Sequence, residues 1–189
     1  REQGAIVETG FERYSFRVNS SFDLGRFDVS ENLSLSHRTQ DPMRWTGPGE
    51  VSEITGLAMR YPPYLDVRDS DNLGGFNGPD NPDGFDDPNP VRIQDNGYEE
   101  DEITKLTGNV TAEARIVDGL TVRQLAGIDA EYGTYDYYEP AFNDGGFQGQ
   151  DFADIQEERF SVFSPISTTT LNFDQTLQSH DVSAVAGYE

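Results

Sequence analysis

Polar and apolar residues alternate strictly over the first clear element of this chain. From Arg13 to Leu24 the even positions are Tyr14, Phe16, Val18, Ser20, Phe22 and Leu24, and the odd ones are Arg13, Ser15, Arg17, Asn19, Ser21 and Asp23. A period of two predicts a strand with one apolar face. Gly25-Arg26 supplies a turn, and Phe27, Val29, Leu33 and Leu35 then oppose Asp28, Ser30, Asn32, Ser34 and Ser36. Glu31 interrupts that apolar face. The pattern returns with Leu106, Val110, Ala112, Ala114 and Ile116, opposed by Lys105, Thr107, Asn109, Thr111, Glu113 and Arg115. Asp118-Gly119 follows, a strong two-residue hairpin signal. Beyond it Leu120, Val122, Ala126, Ile128, Ala130 and Tyr132 face away from Thr121, Arg123, Asp129 and Glu131. A third pair sets Leu171, Phe173 and Leu177 against Thr170, Asn172, Asp174 and Thr176, then Val182, Ala184, Ala186 and Tyr188. Pro165 is expected to mark a loop or a frayed strand end before that pair.

The expected strands are 12–24, 27–38, 103–117, 120–132, 167–177 and 180–189, six in three hairpins. Most exceed the usual five or six residues of a soluble strand and match the roughly 9–11 tilted residues that cross a bilayer. Turns within hairpins are tight, whereas the connections 39–101 and 133–165 are long. The first holds Gly78-Pro79-Asp80-Asn81-Pro82-Asp83-Gly84, which is expected to form no regular element. Inside a compact soluble domain loops of that size count against the assignment. On an outer-membrane barrel, short turns on one side and long loops on the other are normal. Two all-β architectures remain: an antiparallel up-and-down transmembrane β-barrel segment with long extracellular loops, and a secreted acidic β-sandwich. Loop asymmetry and strand length favour the barrel.

Composition narrows the choice of chemistry. Acids outnumber bases 35 to 13, for a net charge of -22. Such a chain cannot neutralise a run of phosphates, which excludes a general nucleic-acid binder. It has no cysteine and only two histidines, His37 and His180. Disulfides and thiolate sites are excluded, and little remains for a histidine metal site or a triad.

The order of short motifs resembles the early barrel of SusC/RagA-like TonB-dependent outer-membrane transporters. The resemblance is carried by Gly4-Ala5-Ile6-Val7, then Arg13-Tyr14-Ser15-Phe16-Arg17-Val18-Asn19, then Glu31-Asn32-Leu33-Ser34-Leu35-Ser36-His37. Asn89-Pro90, Gly108-Asn109, Gly119-Leu120 with Arg123, Gly127-Ile128-Asp129, and His180 through Ala186-Gly187-Tyr188-Glu189 continue it in order. What the resemblance implies is a segment of a plugged barrel of about 22 strands. Six strands fall short of the minimum of about eight for a closed barrel, so residues 1–189 are expected to be a partial barrel domain, roughly its third to eighth strands, without the plug. The implied activity is import of oligosaccharides or peptides across the outer membrane of a Gram-negative bacterium. The implied partners are a SusD-like surface lipoprotein, outer-membrane lipid, and the TonB complex acting through the plug. The alternative function is a secreted module that binds carbohydrate or calcium.

Four groups of residues are candidates for the working parts. Loop aromatics beside carboxylates and amides suit a glycan: Trp45, Tyr61, Tyr64, Phe76, Phe85, Tyr135, Tyr137 and Tyr138. The same rings also suit loop packing or the interfacial girdle of a barrel. Arg13, Arg17, Asn19, Arg115, Arg123, Asp129 and Glu131 would line the lumen, where they serve either substrate passage or cross-strand ion pairing. Asp80, Asp83, Asp86 and Asp87 offer hard oxygen ligands for a structural Ca²⁺, although their spacing is not that of an EF-hand and a solvated acidic loop is the plainer reading. No cofactor is required. Paired carboxylates for glycoside hydrolysis need one acid with a raised pKa; no buried setting for one is visible, so an enzyme is not expected.

Overall fold

The computed structural model describes residues 2–44, 54–80 and 86–189. Strand makes up 62% of it and helix 7%, which establishes an all-β chain. In chain order the elements are β1 (Glu2–Gln3), β2 (Gly10–Asp23), β3 (Phe27–Asp41), α1 (Ile54–Arg60), α2 (Pro90–Asp95), β4 (Tyr98–Val117), β5 (Leu120–Glu139), β6 (Phe142–Asn143), β7 (Gly149–Gln150), β8 (Asp154–Leu177) and β9 (His180–Tyr188). Seven strands form one open sheet in the order β1-β2-β3-β4-β5-β8-β9, and β6 pairs with β7 in a separate hairpin. The three expected hairpins are present. Their turns carry the expected chemistry: Gly25 and Gly119 adopt φ of +79° and +78°, a conformation that costs glycine nothing. The Asp23 carboxylate accepts from Gly25 N–H at 2.8 Å, and Leu24 N–H donates to Phe27 C=O at 2.8 Å. Among the described residues no helix is long and apolar enough to cross a membrane, which says nothing of crossing by strands.

Three strands run well past their expected ends. β4 begins at Tyr98 rather than residue 103, β5 continues to Glu139 rather than residue 132, and β8 starts at Asp154 rather than residue 167. Pro165 therefore lies within β8 and not in a loop. The stretch added to β4, Tyr98-Glu99-Glu100-Asp101-Glu102, is polar on both sides, so no alternation announces it, whereas the stretch added to β8 has Phe160, Val162 and Ile166 at alternate positions and Pro165 masked that signal. Ladder hydrogen bonds, which do not depend on side-chain polarity, extend the strands. The connections are correspondingly shorter than 39–101 and 133–165, and they contain two helices and a hairpin where irregular loop was expected.

By compactness the chain divides into two units. The first comprises 1–13, 38–102 and 134–159; the second comprises 14–37, 103–133 and 160–189. In the first unit Ile54, Leu57 and Ile93 form a small core, flanked by Ile6 and Met43. Phe76 and Phe142 are buried there too. The second unit is sheet alone. Among the described residues, none of the buried hydrophobic side chains belongs to it. Phe16 is 59% exposed, Val110 47% and Val182 41%, so among the described residues no second layer covers its apolar face.

Candidate functional site

The first unit contains a buried, densely connected polar cluster. Asn89 caps α2, with Pro90 at the first helical position, where its missing N–H is no loss. The Asn89 side chain is fully used. Its oxygen accepts from Val91 N–H at 3.0 Å and Arg92 N–H at 3.2 Å, while its nitrogen donates to Val67 C=O at 2.8 Å and Asn77 C=O at 2.7 Å. One side chain thus starts a helix and ties it to two segments of the preceding connection. The α2 residue Arg92 points its guanidinium at Glu139, with Nη1 to Oε1 at 3.0 Å. Arg44 approaches the same carboxylate oxygen at 3.8 Å and donates to Ile93 C=O at 2.5 Å. Tyr137 donates to the other Glu139 oxygen at 3.0 Å. Side-chain exposures are 4% for Arg44, 5% for Arg92 and 16% for Glu139. Breaking a buried pair of this kind leaves an uncompensated charge, which costs about 3–5 kcal/mol. The rings of Phe142 and Tyr137 face the two cations, 3.7 Å from Arg92 and 5.2 Å from Arg44. Burial lowers the Arg92 pKa, and the attraction of Glu139 works against that shift.

The start of β4 adds carboxylates next to this cluster. Burial pushes Glu99 above the ordinary carboxylate range, while a hydrogen bond from Tyr135 and the charge of Arg44 draw it back. The Tyr135 phenol is pushed up to about 12, by burial first and then by Glu99. Tyr137 is likewise raised, by burial and by Glu139. Glu100 is raised by burial and by its acidic neighbours Glu102, Asp41 and Asp136. The second long connection closes over the first. Asp144 is buried; its Oδ1 accepts from Gly146 N–H at 2.9 Å and Gln148 N–H at 3.2 Å, and its backbone C=O accepts from Gly78 N–H at 2.9 Å.

These contacts determine what the expected ligand aromatics can do. Phe76 is buried with the Arg68 guanidinium stacked 3.9 Å above it, so its face is not offered to a sugar. Tyr61 donates to Asn77 C=O at 3.0 Å. Tyr135 and Tyr137 have their phenols committed to Glu99 and Glu139. Tyr138 packs at a tilt against Tyr98 with centroids 5.7 Å apart, and Tyr64 is exposed. Trp45 and Phe85 lie outside the described residues. Of the four acids proposed for calcium, Asp87 binds Arg60 through both oxygens at 2.8 and 3.0 Å. Asp86 offers its backbone carbonyl to Gln148, Asp80 is exposed, and Asp83 lies outside the described residues. Among the described residues no three acids or histidines come together in a geometry that holds a metal.

In the second unit the polar positions form ion pairs between strands. Arg115 on β4 meets Asp28 on β3 at 3.1 Å. Lys105, the single lysine, lies 3.4 Å from Asp129 and 3.6 Å from Glu131 on β5. Arg123 lines a depression of about 390 Å³ with Ser21, Asp23, Asp28, Ser30, Thr111 and Glu113. Arg13 in the first unit, and Arg17 and Asn19 in the second, stand exposed along β2.

Sequence reasoning missed Arg44, Arg92, Glu139 and Asp144. The Asn-Pro start of α2 is the one signal that could have located the cluster, because Asn before Pro opens a helix. No family model matches the chain, and no curated protein matches it.

Proposed function

We propose that the chain forms part of the wall and outer loops of an outer-membrane importer of the SusC/RagA-like, TonB-dependent kind. It would carry oligosaccharides or peptides, with a SusD-like lipoprotein as its surface partner. The observation that carries this reading is the uncovered apolar face of the second unit. Patches of exposed apolar surface larger than a few hundred Å² are rare on soluble monomers. A sheet with one greasy side, one ion-paired side and no covering layer suits a boundary between hydrocarbon and water. A sandwich would set that face against a second sheet, as the runner-up reading requires. The membrane-spanning parts are then the strand segments of the second unit.

Interruptions of the apolar face fit this environment. Ser20 donates to Glu31 at 2.7 Å, so the carboxylate that breaks the stripe on β3 has a partner on β2. Gln124 on β5 donates to Ser167 at 3.0 Å and accepts from Thr169 at 2.5 Å. Polar groups facing hydrocarbon need such partners, since no water supplies them.

The absence of cysteine makes a direct test possible. Single cysteines at Val18, Asn19, Asn109 and Val110 are labelled with an environment-sensitive fluorophore in lipid vesicles. Val18 and Val110 should be quenched by a lipid-phase quencher, and Asn19 and Asn109 by aqueous iodide. Uniform iodide quenching, with a chain that is monomeric in buffer without detergent, refutes the membrane reading and favours the sandwich.

A further inference from the structure

The apolar face of the second unit ends on one cross-strand row of rings and hydroxyls. His37 Nδ1 and Thr104 Oγ1 are 3.0 Å apart, which sets β3 beside β4 at that level. Ser20 on β2 bonds Glu31 on β3; six residues further from the turn on each of these antiparallel strands stand Tyr14 and His37. A Cβ at Gly127 on β5 would lie 3.5 Å from the Asn109 Cβ on β4, and five residues beyond that pair stand Thr104 and Tyr132. Tyr14, His37, Thr104 and Tyr132 therefore cross β2, β3, β4 and β5 in one line. Each continues the apolar set of its own strand, because alternate side chains share a side. Tyr14 is 63% exposed and Tyr132 51%, and His37 and Thr104 are half-buried. Between this row and the turns, these four strands depart from apolar character on that face only at Ser20, Glu31 and Gln124, which have partners.

The height of the apolar band identifies what meets the row. Phe27 marks the other limit, beside the Gly25-Arg26 turn, and ten residue steps of β3 separate it from His37. At about 3.4 Å per residue that is about 34 Å along the strand, and a tilt of about 45° reduces it to a height of about 24 Å. The apolar band of a membrane barrel is about 25 Å tall, with aromatic residues at its borders. The row thus falls where hydrocarbon gives way to headgroups. Tyr and His suit that layer, since each presents an apolar ring body and a polar tip. Thr104 engages His37 Nδ1, which leaves Nε2 to reach a lipid phosphate. We infer that Tyr14, His37, Thr104 and Tyr132 form an interfacial belt that docks in the phospholipid headgroup layer and fixes the depth of the sheet, with His37 as its central member. This rests on the membrane reading proposed above. Sliding the sheet inward would carry the imidazole and the phenols into hydrocarbon, and sliding it outward would lift Phe16 and Leu35 into water, so the row opposes both shifts.

The test measures depth with single tryptophans, Tyr132→Trp or Ile128→Trp, each combined with Trp45→Phe because Trp45 is the only native tryptophan. The protein is reconstituted into phosphatidylcholine vesicles whose acyl chains carry bromine near the glycerol, midway, or near the chain end, and bromine quenches tryptophan on contact. Tyr132→Trp should be quenched most by bromine near the glycerol. Ile128→Trp, four residues further into the band, should lie about 10 Å deeper at a 45° tilt. Adding His37→Leu should move the Tyr132→Trp maximum toward the deeper bromines, and adding His37→Asn should leave it in place. Quenching of both tryptophans at the same depth within the hydrocarbon overturns the belt while leaving the membrane reading in place. An unshifted profile in His37→Leu overturns the assignment of His37. Quenching of neither tryptophan, with the protein recovered apart from the vesicles, overturns the membrane reading and the inference together.

Discussion

Asn89 offers the sharpest test of how the first unit is held together. As a helix cap alone, asparagine and aspartate are nearly equivalent, and only loss of the side chain costs about 1 kcal/mol. The structure gives this residue a second task, donating to Val67 C=O and Asn77 C=O at 2.8 and 2.7 Å from a site with no exposure. Asn89→Ala removes the cap and leaves two carbonyls short of a donor. Each lost bond is worth about 0.5–1.5 kcal/mol net, and more where a buried group stays unpaired. Asn77 C=O keeps the Tyr61 hydroxyl at 3.0 Å, which moderates the loss. The total is about 3 kcal/mol. Asn89→Asp keeps the cap but sets a carboxylate against both carbonyls, so it should cost about as much as the alanine variant. The assay is amide hydrogen exchange in detergent at Ile93, whose N–H donates to Asn89 C=O, and at Asn96, whose N–H donates to Arg92 C=O. Protection at both should drop by about a hundredfold in each variant, at about 1.4 kcal/mol per decade. Wild-type protection in Asn89→Asp, with a small loss in Asn89→Ala, would reduce the residue to an ordinary cap and refute the argument.

Two further outcomes follow from the same unit. A Cβ at Gly78 would lie 2.0 Å from a carboxylate oxygen of buried Asp144, so Gly78→Ala should destabilise the unit by about 1–3 kcal/mol or more; adding Asp144→Ser should cost less than the sum of the two single variants, and strict additivity in a urea titration would count against the contact. Glu99 and Glu100 both have raised pKa values when folded, so the folded chain holds protons that the unfolded chain releases above about pH 4.3. Their contribution is then fully present below that pH and is lost as pH rises through their raised values. Exchange protection in the first unit should weaken from pH 5 to pH 7, and Glu100→Gln should flatten that slope; an unchanged slope would remove Glu100 from the account.

What the sequence disclosed and what it hid divide along the two units. Residues 14–37 and 103–133 were readable because one face of each strand is apolar, and alternation records the face. Asp118-Gly119 was readable because the turn needs a residue tolerant of positive φ. The first unit left no such trace. Its added stretch of β4 is polar on both sides, its core is three aliphatic residues from two short helices, and its strongest bonds join residues far apart in sequence. Arg44 and Glu139 are 95 positions apart, which no local pattern encodes. Phe76 looked like a ligand aromatic for the same reason: only the fold places Arg68 over its face.

The pairing of β8 has a consequence for what its long flank can attract. β9 pairs with Thr169–Leu177, and among the described residues no strand covers the run 154–168 on that flank. An uncovered flank of that length is a template on which a second chain can grow. Pro165 blunts it by deleting one N–H, a residue tolerated at such a border and nowhere in the middle of a sheet.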